Sequence, residues 1–219
     1  MDTCHCGRLL RQYLCPHAYE RYRLKALKAC PSDLGQAFFI CTVEKNSLNI
    51  PILGFAAFSG TGKTTLITHL LPLLKNKGIK TGLIKHSHHD FDIDQPGKDS
   101  YRLRKAGASP VMLVSKYRRA IITEREVIGE PILANELAYL DQSDIELVIV
   151  EGFKHEQLPK IELHRPSLGK PLLFPEDPGI IAIACDEKIK EPCKIPILNL
   201  NDPKQISQFI IDHFSLTYE

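Results

Sequence analysis

Ser59-Gly60-Thr61-Gly62-Lys63-Thr64-Thr65 decides the reading of this chain. An apolar run, Ile52-Leu53-Gly54-Phe55-Ala56-Ala57-Phe58, precedes it, and an amphipathic run from Leu66 to Leu74 follows. Strand, glycine-rich loop and helix in that order form the context a phosphate-binding P-loop requires. Glycines let successive backbone N–H groups converge on an anion. A helix opening at Gly62 adds the positive end of its dipole. Ser59, Gly60, Thr61, Gly62 and Thr65 then line the cradle, Lys63 reaches the β- and γ-phosphates, and the Thr64 hydroxyl ligates Mg²⁺. The pattern G-x-x-x-x-G-K-[ST] would place glycine at 57, where this chain has Ala57, a small residue that reaches positive φ less readily. The competing reading is an ordinary glycine-rich turn, but the flanking strand and helix both favour the P-loop.

From residue 50 onward, strands and helices alternate. Strands are expected over 52–58, 80–86, 145–150, 160–163, 180–184 and 195–198, and helices over 63–76, 99–106, 131–140 and 203–214. Gly78 and Gly107 suit helix ends, Pro131 and Pro203 suit first helical positions, and Asp99 and Asp202 suit N-caps. The continuous apolar run Ile145–Val150 reads as a central strand buried on both faces. Residues 111–115 and 120–123 read as a hairpin around Lys116-Tyr117-Arg118-Arg119. The expected fold is α/β: a three-layer P-loop NTPase fold with a mostly parallel sheet and a β-hairpin insertion.

Two further stretches belong on the same sheet edge as the P-loop, because ligands in open α/β sheets gather at the carboxyl ends of strands. The first is Lys85-His86-Ser87-His88-His89-Asp90-Phe91-Asp92-Ile93-Asp94. Asp90, Asp92 or Asp94 could hold a Mg²⁺-bound water, and Lys85 could offset phosphate charge. Three histidines within four residues would also suit a transition metal, and a solvated polar loop is the bland alternative. Lys98 and Asp99 begin the next helix, and Arg102, Arg104 and Lys105 make it basic, as an anion site or as a solvated face. The second stretch is Val148-Ile149-Val150-Glu151-Gly152-Phe153-Lys154. An apolar strand ending in a carboxylate holds the Mg²⁺ water shell opposite a P-loop, so Glu151 takes that role. Thr64, Asp90 and Glu151 form the candidate metal set, and Lys63, Asp90 and Glu151 the candidate catalytic set.

Composition bounds the partners. The 219 residues carry 28 Lys+Arg against 26 Asp+Glu, a net charge of +2, which gives no strong basic field for nucleic acid. No apolar run approaches the roughly 20 residues of a membrane span, and the N-terminus lacks a signal pattern. The 7 cysteines are an odd number, with Cys185 and Cys193 far from the other five, as expected of free thiols in a reducing, cytoplasmic setting.

Residues 1–49 read differently from 50–219, the P-loop nucleotide-binding domain. Cys4, Cys6, Cys15, Cys30 and Cys41 fall here, yet their spacing lacks the repeated close pairs of a zinc site. Residues 19–30 hold a marginal helix at best. The expectation is a poorly ordered or non-native N-terminal extension, with translation beginning near Leu48.

The sequence also carries a resemblance. It rests on Phe55 to Thr65, then Gly82-Leu83-Ile84-Lys85-His86 with His88-His89-Asp90. Pro96-Gly97-Lys98-Asp99-Ser100 follows with Arg104-Lys105-Ala106-Gly107-Ala108, and last comes Val150-Glu151-Gly152-Phe153-Lys154-His155-Glu156. In this order they resemble the molybdopterin-guanine dinucleotide biosynthesis protein B (MobB) family over about residues 50–215. The resemblance implies a GTP-binding P-loop protein with weak GTPase activity, using GTP and Mg²⁺ in late molybdenum cofactor assembly. It also implies a homodimer and a partnership with the guanylyltransferase that joins GMP to molybdopterin.

Base specificity is less legible. A guanine-reading loop often has the form Asn-Lys-x-Asp, and the nearest spacing is Asn199-Leu200-Asn201-Asp202, without the lysine. Ala184-Cys185-Asp186, at another strand end, competes equally. Two other function classes stay open. A small-molecule kinase would recruit Arg102, Arg104, Arg118 and Arg119 to a lid, and a nucleotide-dependent metal-insertion chaperone would use His86, His88 and His89.

Overall fold

The computed structural model describes residues 50–87, 91–126, 128–153, 156–189 and 191–217, together with the backbone of 22–24 and 43–45. The chain divides into two units, Met1–Asn49 and Ile50–Glu219. In the first, β1 (Tyr22–Leu24) pairs antiparallel with β2 (Val43–Lys45), Tyr22 opposite Lys45. This corrects the marginal helix expected over 19–30: pairing with a distant segment overrides a weak local propensity. The five early cysteines lie outside the described residues.

The second unit is built on a six-stranded sheet in the order β10-β9-β8-β3-β7-β4. Its strands are β3 (Ile52–Ala57), β4 (Thr81–Lys85), β7 (Leu147–Glu151), β8 (Lys160–His164), β9 (Ile180–Cys185) and β10 (Ile197–Asn199). Every pair in it is parallel. The hairpin insertion is present as β5 (Val111–Val114) and β6 (Arg119–Ile122), with Met112 opposite Ile121.

Helices cover both faces, completing the expected three layers. Helices α1 (Lys63–Asn76) and α4 (Pro203–Phe214) pack Leu66, Leu70, Leu74, Ile206 and Ile210 against Leu53, Ile149 and Ile161. On the opposite face, α3 (Leu133–Tyr139) brings Leu133 and Leu137 to Val148, Val150 and Phe153. Alternate residues of β7 thus enter opposite cores, so its apolar run has no polar phase. Gly78, at φ 77°, ends α1 as expected, donating its N–H to the Lys75 carbonyl while Ile79 bonds back to Leu74. Asp202 caps α4, its Oδ1 accepting from the N–H groups of Lys204 and Gln205 at 3.1 Å each.

Two helix starts differ from expectation. α3 begins at Leu133 rather than Pro131, and the Leu133 N–H donates to Glu156 Oε1 at 3.4 Å. A carboxylate distant in sequence therefore satisfies the first N–H of the helix. Helix α2 (Asp99–Lys105) is capped by Lys98 in extended conformation, so Asp99 is a first-turn residue and not the N-cap.

β8 is buried along its whole length although it carries Lys160, Glu162 and His164. Lys160 Nζ pairs with Asp177 Oδ2 at 2.8 Å. Glu162 accepts from the N–H groups of Leu173 and Phe174 at 2.8 and 2.9 Å. Burial pushes the Glu162 carboxyl above its ordinary 4.5, with those two hydrogen bonds opposing the rise only in part. The native state then holds this proton more tightly than the unfolded chain. Stability from this group is therefore present below pH 4.5 and lost as pH rises through the raised folded value. The stability gap between wild type and Glu162→Gln should narrow as pH rises above 4.5. Urea midpoints across that range test this, and a gap independent of pH would refute it.

Candidate functional site

The parallel sheet delivers the residues singled out above to one rim. Phe55 of β3 sits beside Glu151 of β7, which sits beside Lys85 of β4. On the other side, Ala57 neighbours Leu163 of β8, and His164 neighbours Cys185 of β9. The P-loop opens from the middle of this rim.

Gly60 and Gly62 adopt φ of 84° and 95°, so the loop needs residues without Cβ. A Cβ on Gly60 would meet nothing within 4 Å, so the requirement is conformational rather than steric. Thr61 is buried, and its hydroxyl donates to the Phe58 carbonyl at 2.8 Å, closing the loop on itself. Ser59, Thr64 and Thr65 are exposed and Lys63 is half-buried. Among the described residues, the Lys63 side chain makes no hydrogen bond or ion pair.

Glu151 stands beside the loop. Thr64 Oγ1 lies 3.5 Å from its Oε1, and Lys85 Nζ lies 3.5 Å from its Oε2. A hydroxyl and a carboxylate, both hard oxygen donors, thus face each other across the mouth of the P-loop. They fit a Mg²⁺ ion that draws its other ligands from phosphate and water. Among the described residues, no group of three His, Cys, Asp or Glu side chains could hold a metal without such help.

The chain past Glu151 is tightly turned. Gly152 has φ 97°, Phe153 has φ 47°, and the Phe153 ring lies 5.1 Å from the His86 ring. The His86 N–H donates to the Glu151 carbonyl at 2.8 Å, and its Nε2 lies 3.5 Å from Glu130. His86 thereby packs the strand end in place.

The polar loop after β4 divides. His88, His89 and Asp90 lie outside the described residues, as do Lys154 and His155. Asp92 and Asp94 are held by Arg104, whose Nη2 is 2.6 Å from Asp92 Oδ1 and 2.8 Å from Asp94 Oδ1. Arg104 also pairs with Glu124 through Nη1. It is only 5% exposed, and its carboxylate partners hold its pKa well above the ordinary arginine range. This corrects two expectations: Asp92 and Asp94 are not poised for a Mg²⁺ water shell, and Arg104 is neither a solvated base nor a lid group. Lys98 and Asp99 open α2, where Asp99 lies 3.9 Å from Arg102. Among the described residues, no hydrogen bond or ion pair joins either of them to the P-loop.

Arg165 is the residue the sequence reading missed. It follows β8, the strand next to the P-loop strand, and that position at a strand's carboxyl end was the available signal. Its Nε donates to the Thr61 carbonyl at 2.9 Å and its Nη1 to Asp186 Oδ2 at 2.5 Å. Its Nη2 reaches Asn201 Oδ1 at 3.4 Å. Burial pushes the neighbouring Cys185 thiol up, keeping it protonated and unreactive. Among the described residues, no helix is long and apolar enough to cross a membrane.

Residues 52–186 match the family model for MobB, molybdopterin guanine dinucleotide synthesis protein B. A relative from Escherichia coli (strain K12) is 44% identical over 164 residues, spanning 74% of this chain and 93% of its own length. One from Haemophilus influenzae is 42% identical over 170 residues, spanning 75% and 92%. Both are named molybdopterin-guanine dinucleotide biosynthesis adapter protein. Among solved structures, a molybdopterin-guanine biosynthesis protein B superposes with a TM-score of 0.57 at 28% identity, covering 75% of this chain and 99% of that one. A MobB homolog from Bacillus stearothermophilus gives a TM-score of 0.55 at 21% identity, a likeness of fold.

Proposed function

This chain belongs to the MobB family, and from that premise we propose that it binds GTP with Mg²⁺ at its P-loop and acts as an adapter in molybdopterin guanine dinucleotide biosynthesis. One observation carries the reading: a half-buried Lys63 without a carboxylate partner stands at the P-loop, beside Thr64 and Glu151. Lys63 holds the β- and γ-phosphates, backbone N–H groups from Ser59 to Thr65 surround them, and Lys85 screens their charge. Thr64 and Glu151 hold the cation, with Asp90 as a further contributor from the adjoining loop, and Lys98 and Asp99 border the nucleotide. Bound there, Mg²⁺ would neutralise charge between the β- and γ-phosphates.

The partner is the enzyme that joins GMP to molybdopterin, with molybdopterin itself a further ligand. The protein works in the cytoplasm as a homodimer, and residues 50–219 suffice for nucleotide binding. No glutamine adjoins Ser59–Thr65 in the sequence to orient water, so on this reading hydrolysis is slow and signals to the partner. Phosphate release from Mg²⁺-GTP should run at about 10⁻⁴ to 10⁻² per second, both in the full chain and in one starting at Asn49. No release above the uncatalysed rate would refute the GTPase. Loss confined to the shorter chain would refute the sufficiency of 50–219. Many turnovers per second, with labelled phosphate passed to an added acceptor, would replace the GTPase by a kinase.

A further inference from the structure

Two segments compete in the sequence for reading the nucleobase, one ending in Asp186 and the other spanning Asn199 to Asp202. The fold resolves the competition by joining them. Asp202 is committed to capping α4. Asp186 and Asn201 instead meet on the two terminal nitrogens of Arg165, whose Nε is bonded to the P-loop at Thr61. Arg165 occupies one carboxylate oxygen of Asp186. The other, Oδ1, is buried with no hydrogen-bond partner. A buried carboxylate oxygen left unpaired is unfavourable, and an arriving donor would remove that penalty. The torsion that turns a carboxyl group is soft, so a small rotation brings Oδ1 to the rim, where the Asp186 side chain is 16% exposed.

Position agrees with this chemistry. Glu151 and Lys85 place the cation and charge-screening groups on the β7–β4 side of the P-loop strand. Asp186 follows β9, two strands away on the opposite side. That is about 10 Å at ordinary strand spacing, a span a ribose can bridge between phosphate and base. A carboxylate accepts two parallel N–H groups, here one at Oδ1 and one at the lone pair of Oδ2 that Arg165 leaves open, and guanine presents such a pair as N1–H and its 2-amino group. Adenine presents an unprotonated N1 there and would be repelled.

We propose that Arg165, Asp186 and Asn201 form the base-reading unit of this site, Asp186 accepting from the guanine N1–H and 2-amino group. Arg165 is its positioning residue: it fixes the carboxylate relative to the loop that holds the phosphates, and Asn201 steadies the guanidinium. The inference rests on the P-loop binding a nucleoside triphosphate.

Calorimetry of the full chain with Mg²⁺ and GTP, ITP, XTP or ATP tests it. Wild type should bind GTP about tenfold or more tightly than ITP, which lacks the 2-amino group, and ATP more weakly still. Asp186→Asn turns one acceptor into a donor and should reverse the preference towards XTP, whose 2-oxo group accepts. Arg165→Lys keeps the charge but loses the fork, and should bring the GTP-to-ITP ratio towards one. Equal wild-type affinity for all four nucleotides, or for GTP and ITP, overturns the base assignment and leaves the P-loop reading standing. So does a folded Asp186→Asn protein that gains no affinity for XTP. If Asp186→Asn does not fold, the wild-type comparison of GTP with ITP decides. Binding of none of the four removes the P-loop reading and this inference with it.

Discussion

Lys63→Ala should weaken Mg²⁺-GTP binding by about 2–3 kcal/mol, the loss of a charge-assisted hydrogen bond together with the phosphate oxygen left unpaired. That is a fall of roughly 30- to 150-fold, within reach of calorimetry. The fold should not suffer. Among the described residues, the Lys63 side chain has no hydrogen-bond or ion-pair partner, so truncating it leaves no protein group without a partner. It is also a cation in the first turn of α1, where the helix dipole disfavours positive charge. Thermal stability should therefore hold or rise slightly while affinity falls. That divergence separates a ligand-binding lysine from a structural one, and unchanged affinity would remove the P-loop reading.

Gly152→Ala should act through the fold. Its φ of 97° is one that residues with a side chain rarely adopt, and the added Cβ would lie 2.6 Å from His86 Cβ. His86 has little room to yield: its N–H is bonded to the Glu151 carbonyl and its ring rests against Phe153. Backbone strain and overpacking each cost about 1–3 kcal/mol, so a destabilisation of about 2–4 kcal/mol is expected in urea unfolding. Because the displaced segment carries Glu151, Mg²⁺-dependent nucleotide affinity should fall as well. A variant of native stability would show that β4 and β7 part easily at their ends.

Much of the second unit was legible because its signals are local. Helices α1 and α4 have the expected bounds, since Gly62 and Gly78 bracket one and Asp202-Pro203 opens the other. The central strand read correctly because burial on both faces leaves Leu147–Val150 of β7 apolar, with Glu151 as the polar residue at its end. What escaped was long-range pairing. Nothing near Arg104 announces that Asp92, Asp94 and Glu124 will converge on it, and nothing near Glu162 reveals that the backbone of residues 173–174 will close over it. The α3 start failed for the same reason, because its first N–H is satisfied by Glu156, more than twenty residues downstream. In the candidate site, the placement of Lys63 and Thr64 could be read from the strand–loop–helix order, and that of Glu151 from an apolar strand ending in a carboxylate. Arg165 could not be ranked, because its partners Thr61, Asp186 and Asn201 come from three separate segments.

The strand order also governs how this unit is made. β3, which feeds the P-loop, lies between β7 and β8, so both its flanking partners arrive about a hundred residues later in synthesis. Until the ribosome has released Glu151, Ile52–Ala57 has no neighbour to bond with, and until it has released His164 one edge of that strand stays open. Such distant pairing makes for slow folding, with an interval in which nascent chains expose an unpaired strand to one another. The candidate site, which spans that same seam, is among the last features the growing polypeptide can assemble.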